Sequence, residues 1–361
     1  MKRFEGFECG MGMGGWLTNY KRFNILPKEL RGITIGDLEH FRTYITEWDI
    51  ENIKNMGFDH IRLGFDQIVL EESPYQYREE IFQILESFIK NCFKHGLNVI
   101  LNLHKAVGNY CDIKEEVSLF ESAELQNRVI ALWLELEKRF AKYPTVAFEL
   151  LNEVLDVDPE LWNDFAQRLI EAIRTESKTR IIIVGPTAWN SSRKLKYLRV
   201  FDDDNVIYTF HNYEPNVFTH QRGVLQKWQL WYNRQLTYPC DEIDRYKDYW
   251  RLNDNQEDPY GAYEKIDSKV LEDSMQGAVD FIAENPDKIL WCGEFGTIRH
   301  ADIQSRINYM RDSIQFFKKH QIPYCVWNYL STPNDGNRFS LVDDDTREIL
   351  SKDLLEALLG R

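Results

Sequence analysis

The sequence predicts an α/β chain folded as a closed (β/α)8 TIM barrel with a small inserted subdomain after the sixth strand. Three observations carry that expectation. Strand-like and helix-like runs alternate almost without interruption along 361 residues, the pattern of parallel strands joined by right-handed crossovers. Several strand-like runs are continuously apolar, as Ile181-Ile182-Ile183-Val184 is, which suits strands buried on both faces. Eight strand–helix pairs can be counted, the number that closes a barrel rather than leaving an open sheet. The length suits one such domain, ~250 residues plus insertions.

Taken in order, the strands are expected at 7–11, 60–66, 98–104, 147–153, 181–187, 205–213, 288–296 and 323–329. Helices are expected at 46–56, 75–95, 122–142, 159–176, 191–200, 267–285, 302–320 and 347–359. Thr46 offers a cap to the first helix, and Gly57 and Gly96 stop the first two. After the first strand, Gly10-Met11-Gly12-Met13-Gly14-Gly15-Trp16 does not fit the G-x-G-x-x-G fingerprint of dinucleotide binding and reads as a tight strand-to-helix loop. Residues 214–266 break the rhythm, because a connection of that length inside a compact fold is functional or disordered. The segment carries Phe218, Trp228, Trp231, Tyr232, Tyr238, Tyr246, Tyr249, Trp250, Tyr260 and Tyr263, too many aromatics for a disordered linker. It is expected to be an aromatic-rich subdomain at the barrel mouth, the alternative being a self-packed cap with no ligand contact. The whole chain, 1–361, then forms a single catalytic domain.

Composition narrows the function. A formal charge of −14 argues against nonspecific binding to nucleic acid or to an anionic membrane. No stretch approaches the ~18 apolar residues of a membrane span. The N-terminus has basic residues but no apolar run behind them, so no signal peptide is read. The expectation is a cytoplasmic protein, or a secreted one whose signal has been removed, acting as a monomer. The six cysteines show no metal spacing, and Cys9, Cys292 and Cys325 sit in apolar runs, where thiols act as small hydrophobes. Aromatic residues make up 14% of the chain, which favours a carbohydrate ligand because sugars stack on aromatic faces.

Parallel strands gather their carboxyl ends at one rim, where polar side chains read as catalytic. The rim receives Arg62 from strand two, His104 from strand three, and Asn152 and Glu153 from strand four. Strand six adds His211 and Tyr213, strand seven Glu294, and strand eight Trp327. Two glutamates closing apolar strands suit a reaction that needs one carboxyl as acid/base and another as nucleophile, as glycoside hydrolysis does. Glu149, four residues before Glu153, points to the same side but roughly 13 Å lower, and reads as a structural charge awaiting a cation or donor. No cofactor is implied, and no metal is expected, since His104 and His211 lack a clear third ligand.

The segments Phe148-Glu149-Leu150-Leu151-Asn152-Glu153, Trp291-Cys292-Gly293-Glu294-Phe295-Gly296, His211-Asn212-Tyr213 and Ile61-Arg62-Leu63 resemble glycoside hydrolase family 5. So do Leu101-Asn102-Leu103-His104 and Val326-Trp327-Asn328-Tyr329, in the family's order. The resemblance is strongest to short clostridial-type endo-β-1,4-glucanases with an insertion after strand six; Trp16, Phe218-Thr219-His220-Gln221 and Tyr232-Asn233-Arg234 are similar to that group. It implies a retaining double displacement on a β-glucan, with Glu294 as nucleophile and Glu153 as acid/base. Arg62, His104, Asn152, His211, Tyr213, Trp327 and Trp16 would bind substrate or support the pair. A retaining pair predicts carboxyl groups about 5–5.5 Å apart. The chain departs from the family where Asn102-Leu103-His104-Lys105 replaces a pattern richer in aspartate and histidine, and where Thr187-Ala188-Trp189-Asn190 replaces a more amide-rich run. Both bear on substrate preference, leaving mannan, xyloglucan or β-1,3-glucan as alternatives, with a noncatalytic carbohydrate-binding barrel as the rival of another class.

Overall fold

The computed structural model of the chain describes residues 4–18, 35–111, 117–224, 227–252, 259–332 and 335–361. Eight parallel strands close a barrel: β1 Cys9–Leu17, β2 His60–Asp66, β3 Asn98–Lys105, β4 Val146–Glu149, β5 Ile182–Val184, β6 Val206–Asn212, β7 Leu290–Phe295 and β8 Tyr324–Val326. Each pairs with its neighbours in sequence, and β8 closes onto β1 through Cys9–Tyr324, Gly10–Cys325 and Met11–Val326. The predicted fold class is the observed one. Helices such as Glu79–Lys94, Ala123–Phe140, Pro159–Glu176 and Ile303–His320 pack outside, each burying one apolar face.

The barrel interior changes character along its axis. At the amino end, Ile100, Ala147, Ile183, Ile207, Trp291 and Cys325 form an apolar layer sealed by Phe4 and Phe7, which stack at 4.7 Å. The interior positions at the other end include Arg62 and Glu149, both fully buried. Alternation makes this possible, since every second residue of a strand points inward.

The glycine-rich segment is strand and not loop. Gly10, Gly12 and Gly14 alternate within β1, and their missing side chains make room for other residues. A Cβ on Gly10 would lie 2.0 Å from the His60 ring, and one on Gly14 would lie 2.4 Å from Trp327. Gly12 and Gly14 therefore make room for Trp327 at the rim and Gly10 for His60 at the amino end, a use of close approach rather than of turn geometry.

Other differences have local causes. A helix at Ile35–Thr43 was not anticipated. The helix expected from 75 begins at Glu79, after a two-stranded hairpin (Glu71–Ser73 with Gln76–Tyr77) that turns at Pro74 and Tyr75. The helix expected at 267–285 breaks at Met275 into Ser268–Ser274 and Gln276–Glu284. The last helix starts late, at Lys352, because Ser351 caps it by accepting from the Leu354 N–H.

Within 214–266 the described residues form helices Asn216–Thr219, Lys227–Tyr232 and Asp244–Arg251, and Cys240 and Ile266 exchange two backbone hydrogen bonds of 2.8 Å. Phe218, Tyr238, Tyr246, Tyr249 and Tyr260 are buried and continuous with the barrel's outer core. Edge-on contacts link Tyr246 with Tyr260, and Tyr232 with Tyr249. Trp231 is exposed. The side chain of Trp228 lies outside the described residues.

Candidate active site

Arg62 is the hub. It stands inside the barrel on β2, and three residues, two from β4 and its continuation and one from β7, bring acceptors to its guanidinium. Its Nε donates to Glu149 Oε2 at 2.6 Å and its Nη2 to Glu149 Oε1 at 2.8 Å. Nη2 also donates to Asn152 Oδ1 at 2.7 Å, and Nη1 donates to Glu294 Oε1 at 2.5 Å. Burial works against the arginine's charge, but Glu149 and Glu294 outweigh it and hold its pKa above the ordinary value. Glu149 thus has the cation that the sequence left unidentified.

Glu294 closes β7. Its second oxygen accepts from the Tyr213 hydroxyl at 2.8 Å, so both carboxylate oxygens are held by donors on separate strands. Burial, then the Glu294 and Glu153 charges, push the Tyr213 pKa well above its ordinary value, which keeps that phenol a donor. Glu294 is nearly buried, with its side chain 6% exposed.

Glu153 is held differently. β4 ends at Glu149 in its ladder, and the chain beyond is anchored by the Asn152 N–H donating to the Leu103 carbonyl at 2.8 Å. Glu153 itself adopts φ 44°, a left-handed conformation that aims its side chain back over the rim. Its Oε1 lies 3.0 Å from His211 Nδ1, and its side chain is 20% exposed. Burial lowers the His211 pKa to about 4, so the ring is neutral at ordinary pH.

Oxygen atoms of Glu153 and Glu294 and a ring nitrogen of His211 lie within 4.8 Å of one another. The approach of the two carboxyls suits direct attack by one of them, whereas ~6.5–9.5 Å would leave room for an intervening water. His211 does have two carboxylates as possible co-ligands, contrary to the sequence expectation. A cation there would sit against the Arg62 guanidinium and compete with Tyr213 for Glu294, a poor electrostatic setting for a metal.

The family model for Cellulase (glycosyl hydrolase family 5) matches residues 20–332. The chain belongs to glycosyl hydrolase family 5. It is 33% identical over 360 residues to Endoglucanase C of Acetivibrio thermocellus, covering 98% of both chains. It is 27% identical over 327 residues to Cellodextrinase A of Ruminococcus flavefaciens, covering 89% of this chain and 85% of that one. In fold it is similar to the solved structure of Thermotoga maritima Cel5A in complex with cellobiose, with a TM-score of 0.73, 24% identity and 99% of both chains covered. The chain is a glycoside hydrolase, and no helix among its described residues is long and apolar enough to cross a membrane.

Of the residues expected at this family 5 site, the structure gathers all but one. His104 on β3 stacks parallel to Trp327 at 5.5 Å and accepts no charge, because burial, reinforced by Arg62, lowers its pKa well below the ordinary value. Trp327 follows β8 and rests where Gly12 and Gly14 leave room. Trp16 is the exception and a correction. It is 2% exposed, donates its Nε1–H to the Phe41 carbonyl at 2.8 Å, and packs edge-on against Phe88. The positive φ of Gly15 disrupts the alternation of β1 just before it and sends the indole outward among helices.

Sequence reasoning gave no role to Asn190. Its Nδ2 lies 3.2 Å from His211 Nε2, at the end of three successive left-handed residues, Ala188, Trp189 and Asn190. Gly185, which leaves space for that amide, was the available signal.

Proposed function

We propose that the protein is an endo-acting β-1,4-glucanase that hydrolyses cellulose-type or mixed-linkage β-glucans with retention of anomeric configuration. The observation that carries the reading is the close approach of two unequally held carboxylates. Glu294, bound by Arg62 and Tyr213, is suited to remain negative and attack the anomeric carbon. Glu153, held through neutral His211 and partly open to solvent, is suited to exchange a proton.

In the first step a Glu294 oxygen bonds to the anomeric carbon as the glycosidic C–O bond breaks, and Glu153 gives its proton to the departing oxygen. In the second, Glu153 takes a proton from water, the water oxygen bonds to the anomeric carbon, and Glu294 departs as carboxylate. Two inversions return the β-anomer. Asn152, fixed by Arg62, is placed to donate to the sugar's 2-hydroxyl as the oxocarbenium-like state forms. Trp327, with His104 stacked parallel to it, offers a flat face for the same ring.

The relatives' names, Endoglucanase C and Cellodextrinase A, support a β-glucan substrate. The test is a panel of soluble polysaccharides assayed for new reducing ends, with NMR of the first-formed anomer. Release of β-anomer from barley glucan and carboxymethylcellulose, with a rapid fall in viscosity, is expected. Activity confined to mannan, xyloglucan or β-1,3-glucan overturns the substrate, first-formed α-anomer overturns retention, and binding without cleavage overturns catalysis.

A further inference from the structure

We infer that Asn190 is a positioning residue for Glu153: its amide fixes which nitrogen of His211 carries the ring proton, and thereby which oxygen of Glu153 carries the acid proton. The inference rests on the reading of Glu153 as acid/base.

The chain of contacts is short and buried. Asn190 is fully buried, with Nδ2 3.2 Å from His211 Nε2, and His211 Nδ1 is 3.0 Å from Glu153 Oε1. An amide nitrogen only donates, so Nε2 must accept, and a neutral imidazole then has its single proton on Nδ1. That Nδ1–H donates to Oε1 of Glu153. With Oε1 committed as an acceptor, the proton that Glu153 gives the leaving oxygen sits on Oε2. In the opposite tautomer Nδ1 would accept, and the acid proton would be drawn onto Oε1, toward histidine and away from the sugar. The reversed amide would strand its NH2 protons, whereas the observed placement strands only Asn190 Oδ1, and an unpaired carbonyl oxygen is the better tolerated of the two.

The backbone is built to hold this amide. Ala188 and Trp189 have φ,ψ of 56°,56° and 58°,45°, and Asn190 has φ 54°. Residues other than glycine rarely enter this region, and three in succession persist only where surroundings over-determine them. Here the surroundings are the segment that follows Glu153. The Trp189 N–H donates to the Val154 carbonyl at 3.0 Å and the Ala188 N–H to the Leu155 carbonyl at 3.3 Å, the two residues directly after Glu153. Trp189 also donates its Nε1–H to the Cys111 carbonyl at 2.7 Å. A Cβ on Gly185 would come within 2.5 Å of Asn190 Oδ1, so the amide fills a space that only glycine leaves.

The test pairs nitrogen NMR of the His211 imidazole with kinetics of Asn190→Asp, which keeps the side-chain shape but can only accept. In the unaltered enzyme, Nδ1 should be protonated and Nε2 not. In Asn190→Asp, Nε2 should gain a proton. Whether the ring becomes the reversed tautomer or an imidazolium, Glu153 is the poorer acid, its proton drawn to Oε1 in one case and its ionised form favoured in the other. The expected result is a fall of roughly tenfold or more in kcat/KM on cellotetraose, with less than about a twofold change on dinitrophenyl β-cellobioside, whose leaving group needs no proton. Gly185→Ala, which displaces the amide without altering it, should give the same split. A protonated Nε2 in the unaltered enzyme overturns the inference. So do equal losses on both substrates in the two variants, as a merely structural role would give, or no loss on either. Glu153→Ala separates this from the underlying reading: if it loses both substrates alike, Glu153 is not the acid/base, whereas sparing of the aryl glycoside there, with no split at position 190, defeats the inference alone.

Discussion

Glu294 and Glu153 face each other across a few ångströms, yet their surroundings are opposite. Glu294 is clamped from two sides, by a guanidinium on β2 and a phenol beyond β6, and is nearly dry. Glu153 leans on a neutral imidazole and keeps a fifth of its side chain in solvent. Carboxylates of identical chemistry therefore have different work available to them. Fixed donors stabilise a charge that must persist until attack, while a neutral partner and access to water let a proton come and go.

The sharpest way to break that comparison is to remove each carboxylate in turn. Glu294→Ala should lower turnover on the order of 10⁵-fold on every substrate, since no other group can form the glycosyl-enzyme. Azide should restore some turnover and give an α-glycosyl azide. Glu153→Ala should lose activity on cello-oligosaccharides but keep glycosylation by dinitrophenyl β-cellobioside, with azide giving the β-product. Product stereochemistry by NMR checks both, and an α-azide from position 153 would reverse the roles.

A second break is at the shared arginine. Arg62→Met leaves Glu149 and Glu294 buried with no cation, and removing one partner of a buried ionic cluster typically costs about 3–5 kcal/mol. Chemical denaturation should show a loss of that size together with loss of activity. Glu149→Gln should recover part of the stability in the Arg62→Met background, because it removes one of the stranded charges. If the double variant is no more stable than the single one, the cluster is not energetically coupled in the way its geometry implies.

The neutral-imidazole side of the comparison makes a prediction about pH. Burial depresses the pKa of both His211 and His220 to about 4 from an ordinary value of 6.5. Between those values the unfolded chain binds protons that the folded chain refuses, so stability should fall as pH drops from 6.5 to 4 and lose this slope below 4. Each ring contributes at most about 3.5 kcal/mol across that window, at about 1.4 kcal/mol per pH unit of displacement. His220 hydrogen-bonds with Thr219 and Asn216 and meets Tyr213 edge-on without bonding to either carboxylate's holder, so His220→Gln should flatten the slope while sparing activity more than any change at His211. Denaturation curves from pH 4 to 7 with an unchanged slope in that variant would show that His220 takes no part.

How much of this was legible in the sequence differs between fold and site. Apolar runs and their spacing located all eight strands, because a strand buried on both faces has little freedom of composition. Strand ends were harder. β4 stops pairing at Glu149, and β8 at Val326, while the chain continues to Glu153 and Trp327 beyond the ladder. The polar residues at those ends were readable because charge after an apolar run needs a reason. Trp16 was misplaced because residues flanking a glycine run look like a loop, and only barrel closure reveals that the glycines make room for His60 and Trp327. The left-handed turn at Ala188–Asn190 was invisible, since no local propensity favours it and its causes lie in tertiary contacts with Val154 and Leu155.

The smallest expected effect concerns the insertion, which sharpens the comparison by asking whether anything outside the carboxylate cage sets affinity. Its sequence suggested a broad stacking face, but burial divides the described aromatics into three sets, with Tyr232, Trp250 and Tyr263 half-buried between the extremes. Phe218, Tyr238, Tyr246, Tyr249 and Tyr260 are core, at 4% exposure or less, and cannot meet a sugar without unfolding. Trp231, 65% exposed on the short helix Lys227–Tyr232, is the most exposed aromatic among the described residues of the insertion. An aromatic face takes up the C–H side of a pyranose and leaves the hydroxyls hydrated, a contact worth about 0.5–1.5 kcal/mol by comparison with aromatic pairs. Trp231→Ala should therefore raise KM for cellohexaose by about two- to tenfold at constant kcat, and leave cellotriose unchanged, since a contact made equally in ground and transition states affects binding alone. Tyr246→Ala should instead cost stability and affect all chain lengths alike. Equal kinetic effects of Trp231→Ala on long and short substrates would assign the insertion to packing, leaving the unequal pair of glutamates and the walls beside them as the whole of the recognition.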